Sequence, residues 1–168
     1  KGEDKVWIAL GHPAPAYGSE DYYPYIIGYS YLFDEGTGTL HDRIKGCNVL
    51  SDLRAGSNYN NDPRLPITQF WMGPNTADAD SVYALVLNEN SSLIENGLSE
   101  EGLGLAKGIV VETAQLRYSD PQHFSLGVLG NIDTDTVAES MSDEIERLKS
   151  VTLDDLNRVF RKYFNLRN

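Results

Sequence analysis

A single cysteine, Cys47, stands in 168 residues, and with it go internal disulfides and any paired-cysteine metal or redox site. Histidine is almost as scarce. His12, His41 and His123 lie far apart, and no HExxH or inverted HxxEH pattern joins any two of them. A hydrolytic zinc centre needs three protein ligands converging on one ion, commonly two His one helical turn apart with a carboxylate or third His. Scattered singly, these three are read as structural, with His12 in a loop between Gly and Pro and the other two on helix surfaces or caps. Basic residues are also outnumbered, 14 against 25 acidic, and the net charge of −11 argues against a nucleic-acid partner. No apolar run approaches the ~20 residues of a membrane helix. The longest, around Leu85–Leu87, stops at Asn and Glu. A leader with an apolar core is missing from Lys1-Gly2-Glu3-Asp4-Lys5. The chain opens almost at once on a strand-like run, as a segment excised from a longer protein would. A soluble protein is expected, with bacterial cytoplasm, periplasm or an organelle all open.

What is present is an ordinary globular composition, 40% hydrophobic and 23% charged, in a length suited to one domain spanning residues 1–168. Val6-Trp7-Ile8-Ala9-Leu10 reads as a buried strand closed by Gly11 and the turn-forming Pro13 and Pro15. Asp21 can cap the next element, in which Tyr25, Ile26, Tyr29 and Leu32 or Phe33 recur at helical spacing and which ends before Gly36. A short helix through Leu40, Ile44 and Cys47 follows. Two strands, Asp52–Tyr59 and Pro66–Met72, are joined by the polar turn Asn60-Asn61-Asp62-Pro63.

Beyond Gly73-Pro74-Asn75 the pattern is helical. Val82, Leu85, Val86 and Leu93 share one face, in a helix starting near Thr76 or Asp78. Ser99 caps a helix with Leu103, Ala106, Val110 and Ala114 inward. Asp120-Pro121 is a further start, with proline at the first helical position. Val137, Met141, Ile145 and Leu148 form a stripe beginning near Asp133 or Thr134. Thr152 and Asp155 make a capping-box variant ahead of Leu153, Leu156, Val159, Phe160 and Tyr163. The expected fold class is α+β, a mainly antiparallel sheet with several helices packed on one face.

Catalytic signals are weak throughout. There is no GxSxG elbow, and Cys47 has no histidine beside it. Gly36-Thr37-Gly38-Thr39 follows a helix rather than a strand and lacks the lysine of a phosphate loop. Glu100-Glu101 and Asp154-Asp155 occupy first helical turns, where the macrodipole favours negative charge. Six of the fourteen basic residues fall between Arg147 and Arg167, a cluster that reads as a solvated helix face. Asn90-Ser91-Ser92 fits a glycosylation sequon by pattern alone. Tyr25 and Tyr29 fit a core face with their hydroxyls at its edge, while Tyr17, Tyr22 and Tyr23 could line an interface.

The ordered set resembles the C-terminal, non-zinc-binding domain of the pitrilysin/insulinase zinc peptidases, the group that includes mitochondrial processing peptidase. The region Lys5 to Gly73 follows that plan, with Asp21, Gly36, Gly38, Leu40, Ile44 and Lys45 at comparable places. Ser99-Glu100-Glu101, Leu103, Ala106-Lys107, the run Val151 to Leu156 and Lys162-Tyr163-Phe164 match later segments. The resemblance implies the non-catalytic half of an insulinase-type metallopeptidase. Such a half closes a chamber over peptide substrate beside a zinc-bearing homologous domain, in cis or in trans. It implies no catalytic residue, metal ligand or cofactor in this chain, zinc being held by the partner. Active members present an Arg and, several residues later, a Tyr to the substrate backbone. Here Lys45 and Asp52 stand nearest those places, and an ionised Asp cannot donate as a phenol does. Either Tyr59 takes over from a shifted strand, leaving Lys45 and Tyr59 as the substrate-binding candidates, or that contact has been lost. A purely structural, inactive family member is the alternative.

Overall fold

The computed structural model describes residues 6–33, 39–40, 56–60, 66–74, 76–122, 124–125 and 140–165. In chain order these form β1 (Ile8–Pro13), α1 (Tyr22–Phe33), β2 (Gly56–Asn60) and β3 (Ile67–Met72). A 3-10 turn (Thr76–Asp78) then leads into α2 (Ala79–Asn96), α3 (Glu100–Ser119), α4 (Met141–Ser150) and α5 (Leu153–Tyr163). The class is α+β, mostly helical, with a small antiparallel sheet in the order β1-β3-β2. No helix among the described residues is long and apolar enough to cross a membrane.

The first strand differs from its expected bounds. It begins at Ile8 and runs on through Gly11 and His12 to Pro13, which pairs with Ile67. Proline survives there because β1 lies at an edge of the described sheet, where a missing N–H need not break a ladder bond. His12 is therefore a strand residue opposite Thr68, not a loop residue. Alternation does the rest: His12, Thr68 and Met72 are buried against the helices, while Ala9, Gly11, Pro13 and Gln69 are exposed on the other face.

Helix α1 is more deeply enclosed than a one-faced amphipathic helix, with Gly28 and Ser30 buried as well as Tyr25, Ile27, Leu32 and Phe33. Pro24 is tolerated in its first turn, where the N–H has no intrahelical partner. A Cβ on Gly28 would stand 3.1 Å from Phe160 Cε1 and 3.2 Å from Leu156 Cδ1, so the missing side chain lets α1 and α5 cross closely. Tyr25 meets its expectation, fully buried with its hydroxyl bonded to the Thr68 hydroxyl. Tyr17, Tyr22 and Tyr23 stack edge-to-face on one another, with ring centroids 4.9 and 5.1 Å apart, and Tyr23 is buried.

The helix caps follow the sequence closely. Ser99 Oγ accepts from the Gly102 amide at 3.1 Å, and Leu103, Ala106, Val110 and Ala114 line the buried side of α3. Asp120 accepts from the Gln122 amide at 2.9 Å, beginning the turn that Pro121 opens. Thr152 and Asp155 form the full reciprocal box at the start of α5, whose Leu156, Val159 and Phe160 are buried. Gly97, at φ 71°, turns the chain between α2 and α3, and the next amide, Leu98, donates to Asn157 Oδ1 of α5 at 3.0 Å.

The helix read through Val137 to Leu148 is described only from its Ser140 cap onward. The start expected near Asp133 or Thr134 lies outside the described residues, and α4 begins at Met141 with Ser140 as its cap. Ser140 is extended and its hydroxyl accepts from the Asp143 amide at 3.2 Å, so the Val137–Leu148 stripe is not one helix face. Met141 is accordingly 43% exposed while Leu148 is buried. The sequon asparagine, Asn90, sits inside α2 at 4% exposure, where the folded chain offers no room for a glycan.

Candidate functional site

Of the two residues singled out for peptide contact, Tyr59 lies on β2, opposite Thr68. Because Thr68 also opposes His12, these three positions form one row across the sheet. Lys45 lies outside the described residues, as do Asp52, His41, Cys47 and His123. Among the described residues, β1 and β2 lie at the edges of the sheet and one face of it is exposed. Along that face run exposed Ala9, Gly11, Pro13 and Gln69, with half-buried Ile67 and Trp71 between them.

The densest polar constellation is elsewhere, and its partners could not be read locally. Asp21, only 2% exposed just before α1, receives Lys162 Nζ at 2.6 Å, the Tyr163 hydroxyl at 2.9 Å and Arg158 Nη1. Arg158 also reaches Asp155 at 3.2 Å. Burial alone would raise the Asp21 carboxyl, but the hydrogen bonds from Lys162, Arg158 and Tyr163 outweigh it and hold the group below its ordinary range. A carboxylate so held is ionised and saturated with donors, which makes it a strut rather than a general base. The basic stretch of α5 is thus not wholly a solvated face, since two of its cations are committed to a buried acid. One local signal existed, because Arg158 and Lys162 fall one helical turn apart.

A second tie joins α3 to α4, where Arg117 Nη2 meets both Glu144 oxygens at 2.5 and 2.6 Å. His12 is a third feature. Its Nδ1 lies 2.9 Å from the Pro13 carbonyl, while Nε2 is buried with no hydrogen-bond partner among the described residues. Burial pushes the imidazole down, against a smaller upward pull from the Pro13 bond. Among the described residues no three His, Cys, Asp or Glu side chains come together as a metal site, so the described part does not fit a zinc ion. What the described residues supply is shape, a braced helix layer and an open sheet face.

That shape has relatives. By fold the chain is similar to the inactive peptidase domain of a protein assigned as a zinc protease from Bordetella parapertussis. The TM-score is 0.79, at 19% identity, over 98% of this chain and 88% of that one. This chain has the fold of an inactive insulinase-type peptidase domain. The peptidase M16 inactive domain from Pseudomonas fluorescens matches with a TM-score of 0.75 at 14% identity, over 96% of this chain and 39% of that one. A chain of Complex III2 from Candida albicans matches with 0.75 at 11% identity, over 95% and 40%. This chain spans about two fifths of the length of each of these last two. No family model matches the sequence, and no curated protein matches it.

Proposed function

We propose that this chain is the non-catalytic half of an insulinase-type zinc metallopeptidase, closing a chamber over peptide substrate. The observation that carries the reading is the likeness to an inactive peptidase domain over nearly the whole of both chains. In this reading the partner is a zinc-bearing homologous domain, in cis or in trans, which supplies the metal and the HxxEH carboxylate. This half contributes the wall. An edge strand holds extended peptide by main-chain hydrogen bonds, and Lys45 and Tyr59 add side-chain contacts to the substrate backbone.

The test is reconstitution. The purified chain is expected to cleave no peptide and to hold no stoichiometric zinc. Mixed with the HxxEH-bearing half encoded in the same frame or beside it, it is expected to restore cleavage of an unstructured peptide. Lys45→Ala and Tyr59→Ala should then raise KM more than they lower kcat. One tightly held zinc per isolated chain would overturn the assignment.

A second reading draws on the Complex III2 likeness. There the same fold serves an assembly, and by analogy this chain would be a structural member with no peptidase partner. Failure of every HxxEH half to restore cleavage, with peptide affinity indifferent to Lys45 and Tyr59, selects it.

A further inference from the structure

His12 is a buried titratable group that the peptidase reading leaves unused. The ring is 8% exposed, inside the contact between β1 and the end of α5. Phe164, which caps α5, lies 5.2 Å away between ring centroids, and Tyr25 of α1 lies 6.1 Å away. Because the Pro13 carbonyl can only accept, Nδ1 carries the proton and donates to it. Nε2 is then a lone-pair acceptor, buried and unpartnered among the described residues. Protonation would place a cation and a second N–H donor where no described residue offers an acceptor, which is costly in an apolar setting.

Among the described residues, the surrounding groups offer that cation no relief. From β3 the opposite residue is the uncharged Thr68. From α1 it is Tyr25, whose hydroxyl is tied to Thr68 and whose ionisation is pushed up by burial. On α5, Arg158, Lys162 and Tyr163 all donate to Asp21, the acid that precedes α1 and is already satisfied. Two of those three are themselves cations. We propose that His12 is an acid-sensitive seat for α5: neutral, it packs the end of that helix on the sheet, and protonated, it releases it.

The sign follows from linkage. With the folded value below the ordinary 6.5, the released state binds the proton more tightly. The contribution is therefore complete above pH 6.5 and is lost as pH falls from there toward the lower folded value. From an ordinary imidazole in the released state, the largest possible change between pH 7.5 and 5 is about thirtyfold.

Hydrogen exchange of backbone amides, corrected for intrinsic rates, reads this directly. In a His41→Gln, His123→Gln background, amides of α5 should lose between about threefold and thirtyfold protection from pH 7.5 to 5. Amides of α3 should change by less, and adding His12→Phe should flatten the α5 response. Unchanged α5 protection overturns the proposal, as does an equal loss across α3 and α5 or a loss that persists in the His12→Phe variant. Should that variant not fold, NMR titration of the His12 ring in the same background decides. A ring that stays neutral below pH 6.5 supports the seat, and one that protonates at or above 6.5 overturns it.

Discussion

Replacing Asp21 with Asn keeps the size of the side chain and removes its charge, and the structure sets the expected loss. Three donors from α5 converge on this buried carboxylate. Arg158 and Lys162 are 40% and 54% exposed, so each can turn back to water when the acid is gone. Each such half-exposed pair is worth about 0.5–1 kcal/mol. The Tyr163 hydrogen bond adds about 1 kcal/mol. An amide can keep one of the three bonds, which leaves an expected loss of about 2 kcal/mol, or a Tm lower by about 4–8 °C for a chain of this size. Urea unfolding followed by far-UV circular dichroism measures it. The charge also fixes the pH dependence. The folded carboxyl lies below its ordinary 3.8, so its contribution is present above that value and fades as pH falls through the folded one. Wild type and Asp21→Asn should therefore differ at pH 6 and converge in strong acid. A loss under about 0.5 kcal/mol at pH 6, or a gap that does not narrow with acid, would refute the strut.

Other substitutions probe the same architecture. Gly28→Ala sets a methyl about 3 Å from Phe160 and Leu156 and should cost about 1–3 kcal/mol by thermal unfolding, although alanine is the better helix former. Thr152→Ala removes the hydroxyl side of the α5 capping box and leaves the backbone amide of residue 152 donating to Asp155, for about 1 kcal/mol in urea, whereas Thr152→Ser should recover most of it. Tyr25→Phe strands the buried Thr68 hydroxyl and should cost about 1–2 kcal/mol. The double change with Thr68→Val should cost less than the sum of the single changes, which a double-mutant cycle reads.

The features legible in the sequence are those written over a few residues. Ser99, Asp120-Pro121 and Thr152-x-x-Asp155 announce helix starts because a cap bonds its own first turn. The apolar spacing in α3 and α5 likewise names the residues that are buried. Where one residue type serves two purposes, local reading fails. Pro13 looks like a terminator, yet an edge strand accommodates it and carries His12 into the interior. Ser140 interrupts a stripe that periodicity alone would run straight through, because its hydroxyl serves the amide of Asp143. The Asp21 cluster was beyond reach for another reason. Its acid looked like a helix cap and its bases like a wet surface, and only the fold brings the two together. Of the peptide-contact candidates, Tyr59 falls on the expected strand region, and Lys45 lies outside the described residues.

The bond from Asp21 to Arg158 spans 137 positions, and α1 meets α5 at a crossing with no space for a methyl group. A ribosome delivers α1 long before α5. Until α5 leaves the exit tunnel, Asp21 lacks these counter-charges and the notch at Gly28 lacks its occupant. Packing of α1 is thus postponed until α5 has been made, with the slow search that distant pairings impose. Premature termination before residue 153 would strand an apolar intermediate, a natural client for chaperones.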